Sequence, residues 1–162
     1  MRRGLLAVLT AFGIWAAANA VAAHDWATGQ ATAADEAAVT PGEVTATLYK
    51  SPYCGCCSGY AEQQRQSGFK VEVNEVDNLT PIRRMLGIGK ELQSCHTAVI
   101  EGYVVEGHVP IADLRHLLAE RPDIKGIALP GMPQGVPGMP GPKPDELMLY
   151  TIEKEPKAFL AQ

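Results

Sequence analysis

Positive charge is scarce in this 162-residue chain, which has 14 lysine and arginine residues against 18 aspartate and glutamate residues. Two of the 14, Arg2 and Arg3, lie at the extreme N-terminus, and without them the net charge falls from −4 to −6. The chain therefore offers no basic face to a phosphate backbone, which argues against nucleic-acid binding and against a polybasic membrane patch. Cysteine and histidine are also scarce, with four residues of each type, so their placement is informative.

The N-terminus has the pattern of a secretory signal. A basic start, Met1-Arg2-Arg3, precedes the uncharged apolar run GLLAVLTAFGIWAAA, and small residues then offer cleavage after Ala20, Ala22 or Ala23. We expect residues 1–23 to be a signal peptide and the mature protein to be periplasmic, without a stable membrane span. The alternative is an uncleaved anchor, because residues 4–23 are just long enough to cross a bilayer.

The remaining chain divides by composition into three parts. Residues 24–42 are rich in alanine and threonine without an apolar period, and we expect a flexible leader in which His24 lies near the new N-terminus. Residues 43–152 carry the alternation typical of a folded domain. Residues 153–162 are expected to form a frayed tail.

The folded part is predicted to be an α/β domain of the thioredoxin-like class, a mixed sheet with flanking helices plus a C-terminal loop. Two parallel strands joined by a right-handed crossover would pair with an antiparallel hairpin turning at Glu101-Gly102. The predicted strands are residues 43–50, 69–76, 98–100 and 103–105, with a late strand in residues 146–152. The predicted helices are residues 58–67, a helix capped by Thr80 and a helix opened by Pro110.

Residues 126–144 are rich in glycine and proline and are predicted to form neither a helix nor a central strand. Gly131-Met132-Pro133 recurs as Gly138-Met139-Pro140, which places a thioether at the centre of each repeat. This loop could lie over a neighbouring site. The other two internal methionines, Met85 and Met148, are expected in the core, and His116 is expected to be solvated.

Cysteines cluster at two places that this fold would bring together. Cys54, Cys56 and Cys57 lie on the turn between the first strand and the first helix, where the helix N-terminus favours thiolates. Cys95-His96 lies just before the hairpin strand, in a connection that packs against this turn in thioredoxin-like folds. Five ligands would then converge.

Three interpretations of this cluster compete. Cys54 and Cys57 have the C-x-x-C spacing of thiol–disulfide oxidoreductases. Four cysteines could also form two structural disulfides, in any of three pairings. The third interpretation is metal binding, which the number of donors favours. A structural zinc site is complete with four ligands, whereas four cysteines and His96 already exceed that number.

Copper fits the surplus of soft donors. Sulfur ligands, thioethers especially, select Cu(I), and Cu(II) heads the affinity order of the divalent ions. Because the adjacent Cys56 and Cys57 are not expected to point at one ion, one of them would bridge to a second copper. His108 is equally suited to bind the metal directly and to hydrogen-bond to a ligand. The candidate ligands are Cys54, Cys56, Cys57, Cys95, His96, His108, Met132 and Met139.

The strings YKSPYCGCC, LQSCHTAVI, GYVVEGHVP and GMPQGVPGMP resemble those of the CopG-like periplasmic copper-resistance family, which is distinct from the ribbon-helix-helix repressors of the same name. The resemblance covers about residues 44–150. It implies a thioredoxin-like fold, copper as Cu(I) or Cu(II) with more than one ion per chain, and ligation by Cys54, Cys56, Cys57, Cys95 and His96. It also implies sequestration, transfer or redox handling of copper alongside other periplasmic copper proteins. No catalytic residue is assigned, and the alternative function is a periplasmic oxidoreductase using Cys54 and Cys57.

Overall fold

The computed structural model describes residues 44–159, so the predicted signal peptide and the whole of the predicted leader lie outside the described part. This part contains seven strands and three α-helices, with a 3-10 turn at Lys90–Leu92. The strands are β1 (Thr45–Lys50), β2 (Lys70–Glu75), β3 (His96–Ile100), β4 (Tyr103–Glu106), β5 (Gly126–Ala128), β6 (Leu149–Thr151) and β7 (Ala158–Phe159). The helices are α1 (Gly55–Gln66), α2 (Thr80–Met85) and α3 (Ile111–Glu120). Among residues 44–159 no helix combines the length and apolarity that a bilayer crossing requires.

All seven strands form one mixed sheet in the order β2-β1-β3-β4-β5-β6-β7. β1 pairs in parallel with β2 and antiparallel with β3, and β3 and β4 form the expected hairpin. β5 is parallel to β4, and β6 and β7 extend the sheet by antiparallel pairing. The predicted α/β class, a mixed sheet with flanking helices, is therefore confirmed, while the thioredoxin-like assignment stays a prediction.

Apolar side chains cover both faces of the sheet. Helices α1 and α3 bury Tyr60, Leu114 and Leu117 against the main core, which includes Val105 of β4. The preceding residue, Val104, belongs to a second cluster with Ile88, Leu92, Ala128 and Ile152. Successive strand residues point to opposite faces, so the two clusters lie on opposite sides of the sheet. The cluster under α1, on the side where the cysteines lie, is the larger of the two.

The predicted exclusion of a central strand from residues 126–144 is wrong for Gly126–Ala128, which lies between β4 and β6. A Cβ on Gly126 would stand 1.8 Å from the Val104 carbonyl oxygen, so glycine is required for this strand to approach β4. The expected frayed tail also contributes β7. Met85 and Met148, expected in the core, are exposed. Leu79, not Thr80, occupies the N-cap position of α2, and its side chain makes no capping hydrogen bond.

Candidate metal centre

The sheet register places the two cysteine segments side by side. Lys50 ends β1 opposite His96, which begins the antiparallel strand β3. The turn that follows β1 therefore lies beside the residue that precedes β3, and Cys95 meets the first turn of α1. That helix begins at Gly55, earlier than predicted, so Cys54 occupies its N-cap and Cys56 and Cys57 its first turn.

Six potential donors form two overlapping sets of four. In the cysteine set, Cys54, Cys56, Cys57 and Cys95, all four sulfurs lie within 4.8 Å of one another. In the mixed set, Cys57, Cys95, His96 and His108, one donor atom from each residue lies within the same distance of the others. Both Cys56 and Cys57 reach the cysteine set, and the expectation that they point to different ions stays a prediction.

Burial differs across this cluster. Cys54, Cys56 and Cys95 are half-buried, while Cys57, His96 and His108 are fully buried. Cys54, Cys56 and Cys95 thus form the side of the cluster nearer solvent, and Cys57 and the two imidazoles form its floor.

The sulfurs of Cys54 and Cys57 are joined in a disulfide, and Cys56 and Cys95 are free. The interpretation of the four cysteines as two structural bridges is therefore wrong, since one pair remains as thiols. Cys56 lies beside the bridge, with its sulfur 3.3 Å from that of Cys54. An open dithiol at Cys54 and Cys57 requires two electrons and two protons.

His108 is held in one tautomer by the glycine- and proline-rich loop. Its Nδ1 lies 2.6 Å from the Pro137 carbonyl oxygen, which can only accept, so Nδ1 carries the proton. Nε2 is then unprotonated and lies 2.9 Å from the Cys95 sulfur. Its lone pair faces the cluster, as a metal-binding histidine requires.

His96 is neutral and enclosed. It is 0% exposed, its ring lies 4.6 Å from that of Tyr60, and burial lowers the pKa of the imidazole to about 3. Its Nδ1 lies 3.4 Å from the Cys95 sulfur, and its buried Nε2 has no hydrogen-bond partner. A neutral ring can donate a lone pair to a metal at any pH near neutrality.

Cys95 lies between the two imidazoles and stays protonated without metal. Burial, with a smaller effect from nearby Cys56, raises the pKa of its thiol to about 12. A metal ion must therefore displace this proton to gain the thiolate.

A buried carboxylate fixes the segment that carries Cys95 and His96. Glu106 accepts hydrogen bonds from the Ser94 backbone N–H at 2.7 Å, from the Thr97 hydroxyl at 2.5 Å and from Arg83 Nε at 3.0 Å. Arg83 also donates to the Ser94 carbonyl oxygen at 2.5 Å. The residues on both sides of Cys95-His96 are thus tied to the end of β4, two positions before His108. We call this arrangement the Glu106 clamp.

Two solved structures described as copper resistance protein CopG resemble this chain. Form 2 has 34% sequence identity and a TM-score of 0.65, covering 72% of this chain and 94% of that one. Form 1 has 34% identity and a TM-score of 0.64, with 71% and 92% coverage. The chain belongs to the CopG family. The model of DUF411, a family of unknown function, matches residues 92–139, and no curated protein matches the chain.

The family model covers part of the cluster and the loop. Residues 92–139 include Cys95, His96 and His108, as well as the Pro137 carbonyl that holds His108. Cys54, Cys56 and Cys57, at the start of α1, lie outside residues 92–139. In this CopG-family chain the fold places these three cysteines beside Cys95.

The loop does lie against the cluster, but its backbone makes the contacts. A Cβ on Gly138, at φ +82°, would stand 2.5 Å from the Cys56 carbonyl oxygen, so only glycine permits this approach. Of the two predicted thioether ligands, Met132 is 56% exposed and Met139 packs against the main core. Their role as ligands stays a prediction, whereas the other six predicted donors are brought together.

No pattern in the sequence indicated the residues of the clamp or the role of Pro137. His116, expected to be solvated, is half-buried beside Phe159 with ring centroids 6.1 Å apart, and it belongs to neither donor set.

Proposed function

We propose that this CopG-family protein binds copper as Cu(I) through the thiolates and imidazoles of the cluster, and that it sequesters, transfers or changes the oxidation state of copper in metal resistance. The observation that carries the proposal is the overlap of two four-donor sets through Cys57 and Cys95. One tetrahedral ion needs four donors. Six converging donors support more than one ion bridged by shared thiolates.

The number of converging donors favours copper over zinc, because a structural zinc site is complete with four ligands. Thiolates select Cu(I), and imidazole is compatible with the same ion. The two solved relatives are described as copper resistance proteins, which supports this choice. The Cys54–Cys57 bridge must be reduced before all four sulfurs can act as thiolates.

The test is an anaerobic Cu(I) titration of the fully reduced protein against a competing chelator, followed by metal analysis. We expect more than one Cu(I) per chain. Cys56→Ser should lower the number without unfolding the domain, and His116→Asn, a histidine outside both donor sets, should leave it unchanged. A one-to-one endpoint that does not depend on Cys56 would contradict the bridged cluster.

Met132 and Met139 are proposed to add thioether donors from the loop. The close approach of Gly138 to Cys56 supports this, because it holds the neighbouring Met139 near the cluster's side of α1. The Pro137 contact with His108 supports it further, since loop and cluster are joined before any metal binds.

We also propose that residues 1–23 direct the protein to the periplasm, where it meets copper ions and other copper-handling proteins. N-terminal sequencing of the protein from a periplasmic extract tests both statements. Cleavage after Ala20, Ala22 or Ala23 is expected, and an intact N-terminus in the membrane fraction would contradict them.

A second function, thiol–disulfide exchange, is favoured by one observation. The Cys54–Cys57 disulfide spans a C-x-x-C motif at the N-terminus of α1, the arrangement of redox-active dithiols. An oxidoreductase would reduce insulin without metal and lose the activity in Cys54→Ser. A protein that only binds copper would not reduce insulin.

A further inference from the structure

The disulfide changes which donors the cluster can offer. A disulfide sulfur carries no thiolate, so closing the Cys54–Cys57 bridge removes two donors from the cysteine set and one from the mixed set. The cysteine set is left with Cys56 and Cys95. The mixed set keeps three donors, Cys95, His96 and His108.

We propose that the disulfide form retains a distinct three-donor site, Cys95-His96-His108, that binds one divalent ion of borderline softness. Reduction of the bridge then converts this site into the thiolate-rich cluster for Cu(I). The inference deepens the proposed function and rests on it, because it assigns a second metal preference to the other redox state of the same cluster.

The distances of the three donors suit a single ion. Metal–sulfur bonds of about 2.3 Å and metal–nitrogen bonds of about 2.0 Å at a tetrahedral angle put sulfur and nitrogen about 3.5 Å apart. The Cys95 sulfur lies 3.4 Å from His96 Nδ1 and 2.9 Å from His108 Nε2. Only the second separation must widen when an ion replaces the thiol proton.

The two imidazoles keep their binding state whether the bridge is open or closed. His108 Nε2 is unprotonated because Pro137 holds the proton on Nδ1, and that contact comes from the loop, not from α1. His96 follows Cys95 in the segment that the Glu106 clamp fixes through Ser94 and Thr97. Neither restraint involves Cys54 or Cys57.

The donor chemistry separates the two redox states. One thiolate and two imidazoles suit zinc and divalent copper, whereas four thiolates suit Cu(I). Opening the bridge uses two electrons and two protons to give two thiols, and a thiol reductant supplies the electrons as it becomes a disulfide. Metal binding to the three-donor site releases the Cys95 proton to solvent and involves no electron transfer.

Cobalt(II) is the probe of choice, because it does not oxidise the free thiols Cys56 and Cys95. The purified protein is prepared with the bridge closed, as verified by alkylation of two thiols per chain, and titrated with Co²⁺. We expect one Co²⁺ per chain with a sulfur-to-cobalt charge-transfer band. Adding a thiol reductant should increase the band as Cys54 and Cys57 supply thiolates.

Three variants isolate the site. Cys54→Ser with Cys57→Ser removes the same donors permanently, so it should bind one Co²⁺ with the original band and not respond to reductant. Cys56→Ser, with the bridge closed, should bind Co²⁺ as the wild type does, while Cys95→Ser should lose the band. Loss of the band in Cys56→Ser but not in Cys95→Ser would overturn the assignment.

A measurement on the wild type avoids variants that fail to fold. With ¹⁵N-labelled histidine and Zn²⁺, ring nitrogens of His96 and His108 should shift, and those of His116 should not. Absence of Co²⁺ and Zn²⁺ binding by the disulfide form would refute this inference alone. Failure of the reduced protein to bind Cu(I) would instead refute the proposed function.

Discussion

Replacing Glu106 by glutamine tests how much the clamp contributes to the metal centre. Glutamine has the same shape and keeps one oxygen to accept from Arg83 and Ser94, while its amide can donate to the Thr97 hydroxyl. The substitution therefore removes mainly the negative charge. Glu106 is 0% exposed and its carboxylate lies 2.8 Å from a guanidinium nitrogen of Arg83, which is 12% exposed.

The expected loss is large because the remaining charge is buried. Removing one partner of a buried ion pair costs about 3–5 kcal/mol. That is a substantial part of the roughly 5–15 kcal/mol by which a domain is stable. Groups that orient metal ligands typically contribute about 10–100-fold to metal affinity, so Cu(I) binding should weaken within that range.

Urea unfolding of the metal-free protein measures the stability, and a chelator competition measures the affinity. Glu72→Gln is the matched control, because Glu72 pairs with Lys70 at 4.0 Å and both side chains are more than half exposed. That control should change stability by less than about 1 kcal/mol.

A double variant separates the charge from the fold. Arg83→Met with Glu106→Gln leaves no unpaired buried charge, so its loss of stability should be clearly smaller than the sum of the two single losses. Additive losses, or a Glu106→Gln variant as mild as Glu72→Gln, would refute the assignment of a coupled buried pair.

Three further predictions concern acidity and the loop. Cu(I) affinity should fall by about tenfold or more for each pH unit between pH 7 and 5, because the raised pKa of Cys95 keeps the thiol protonated and copper must displace that proton. A competition titration in which Cu(I) affinity did not change with pH would show that Cys95 is not a ligand. The metal-free protein should lose stability as pH falls below about 6.5, because burial lowers the pKa of His96 and His108 only in the folded state. The loss should reach up to about 1.4 kcal/mol per pH unit for each histidine. Urea unfolding at pH 7 and pH 5 measures this loss, and equal stability at the two pH values would contradict the prediction. Changing Met132 and Met139 together to leucine should lower Cu(I) affinity about tenfold, or about 1.4 kcal/mol, with zinc affinity unchanged, and equal losses for both metals would indicate packing instead.

Local patterns were sufficient to predict much of the fold. The alternation of apolar and polar residues in 70–75 predicted a strand, and Glu101-Gly102 predicted a hairpin turn; the structure contains both. Each signal depends only on residues that are close together in the sequence. The strand Gly126–Ala128 escaped prediction because its glycine is needed by a contact with Val104, which lies far away in the sequence. In the sequence alone a glycine favours a loop, and its role in a strand becomes clear only when the adjacent strand is known.

The donor cluster was predictable because cysteine is rare and its positions relative to the strands were clear. The clamp was not, since Glu106 ends a short strand as an ordinary polar residue would, and its partner Arg83 lies 23 positions away on a helix. Charge pairing at that distance leaves no periodic signal. The role of Pro137 was equally hidden, because its backbone carbonyl, rather than its side chain, holds His108.

The clamp also bears on the speed of metal exchange. Because the chain on either side of Cys95 and His96 is already immobilised, an arriving ion does not wait for a loop to order, and the entropy of ordering is not lost at the moment of capture. The half-buried residues Cys56 and Cys95 lie nearer solvent than the fully buried imidazoles, so an ion meets them first. We therefore expect capture and release to proceed by stepwise replacement of one donor at a time, with a rate governed by ligand substitution at the metal rather than by motion of the protein.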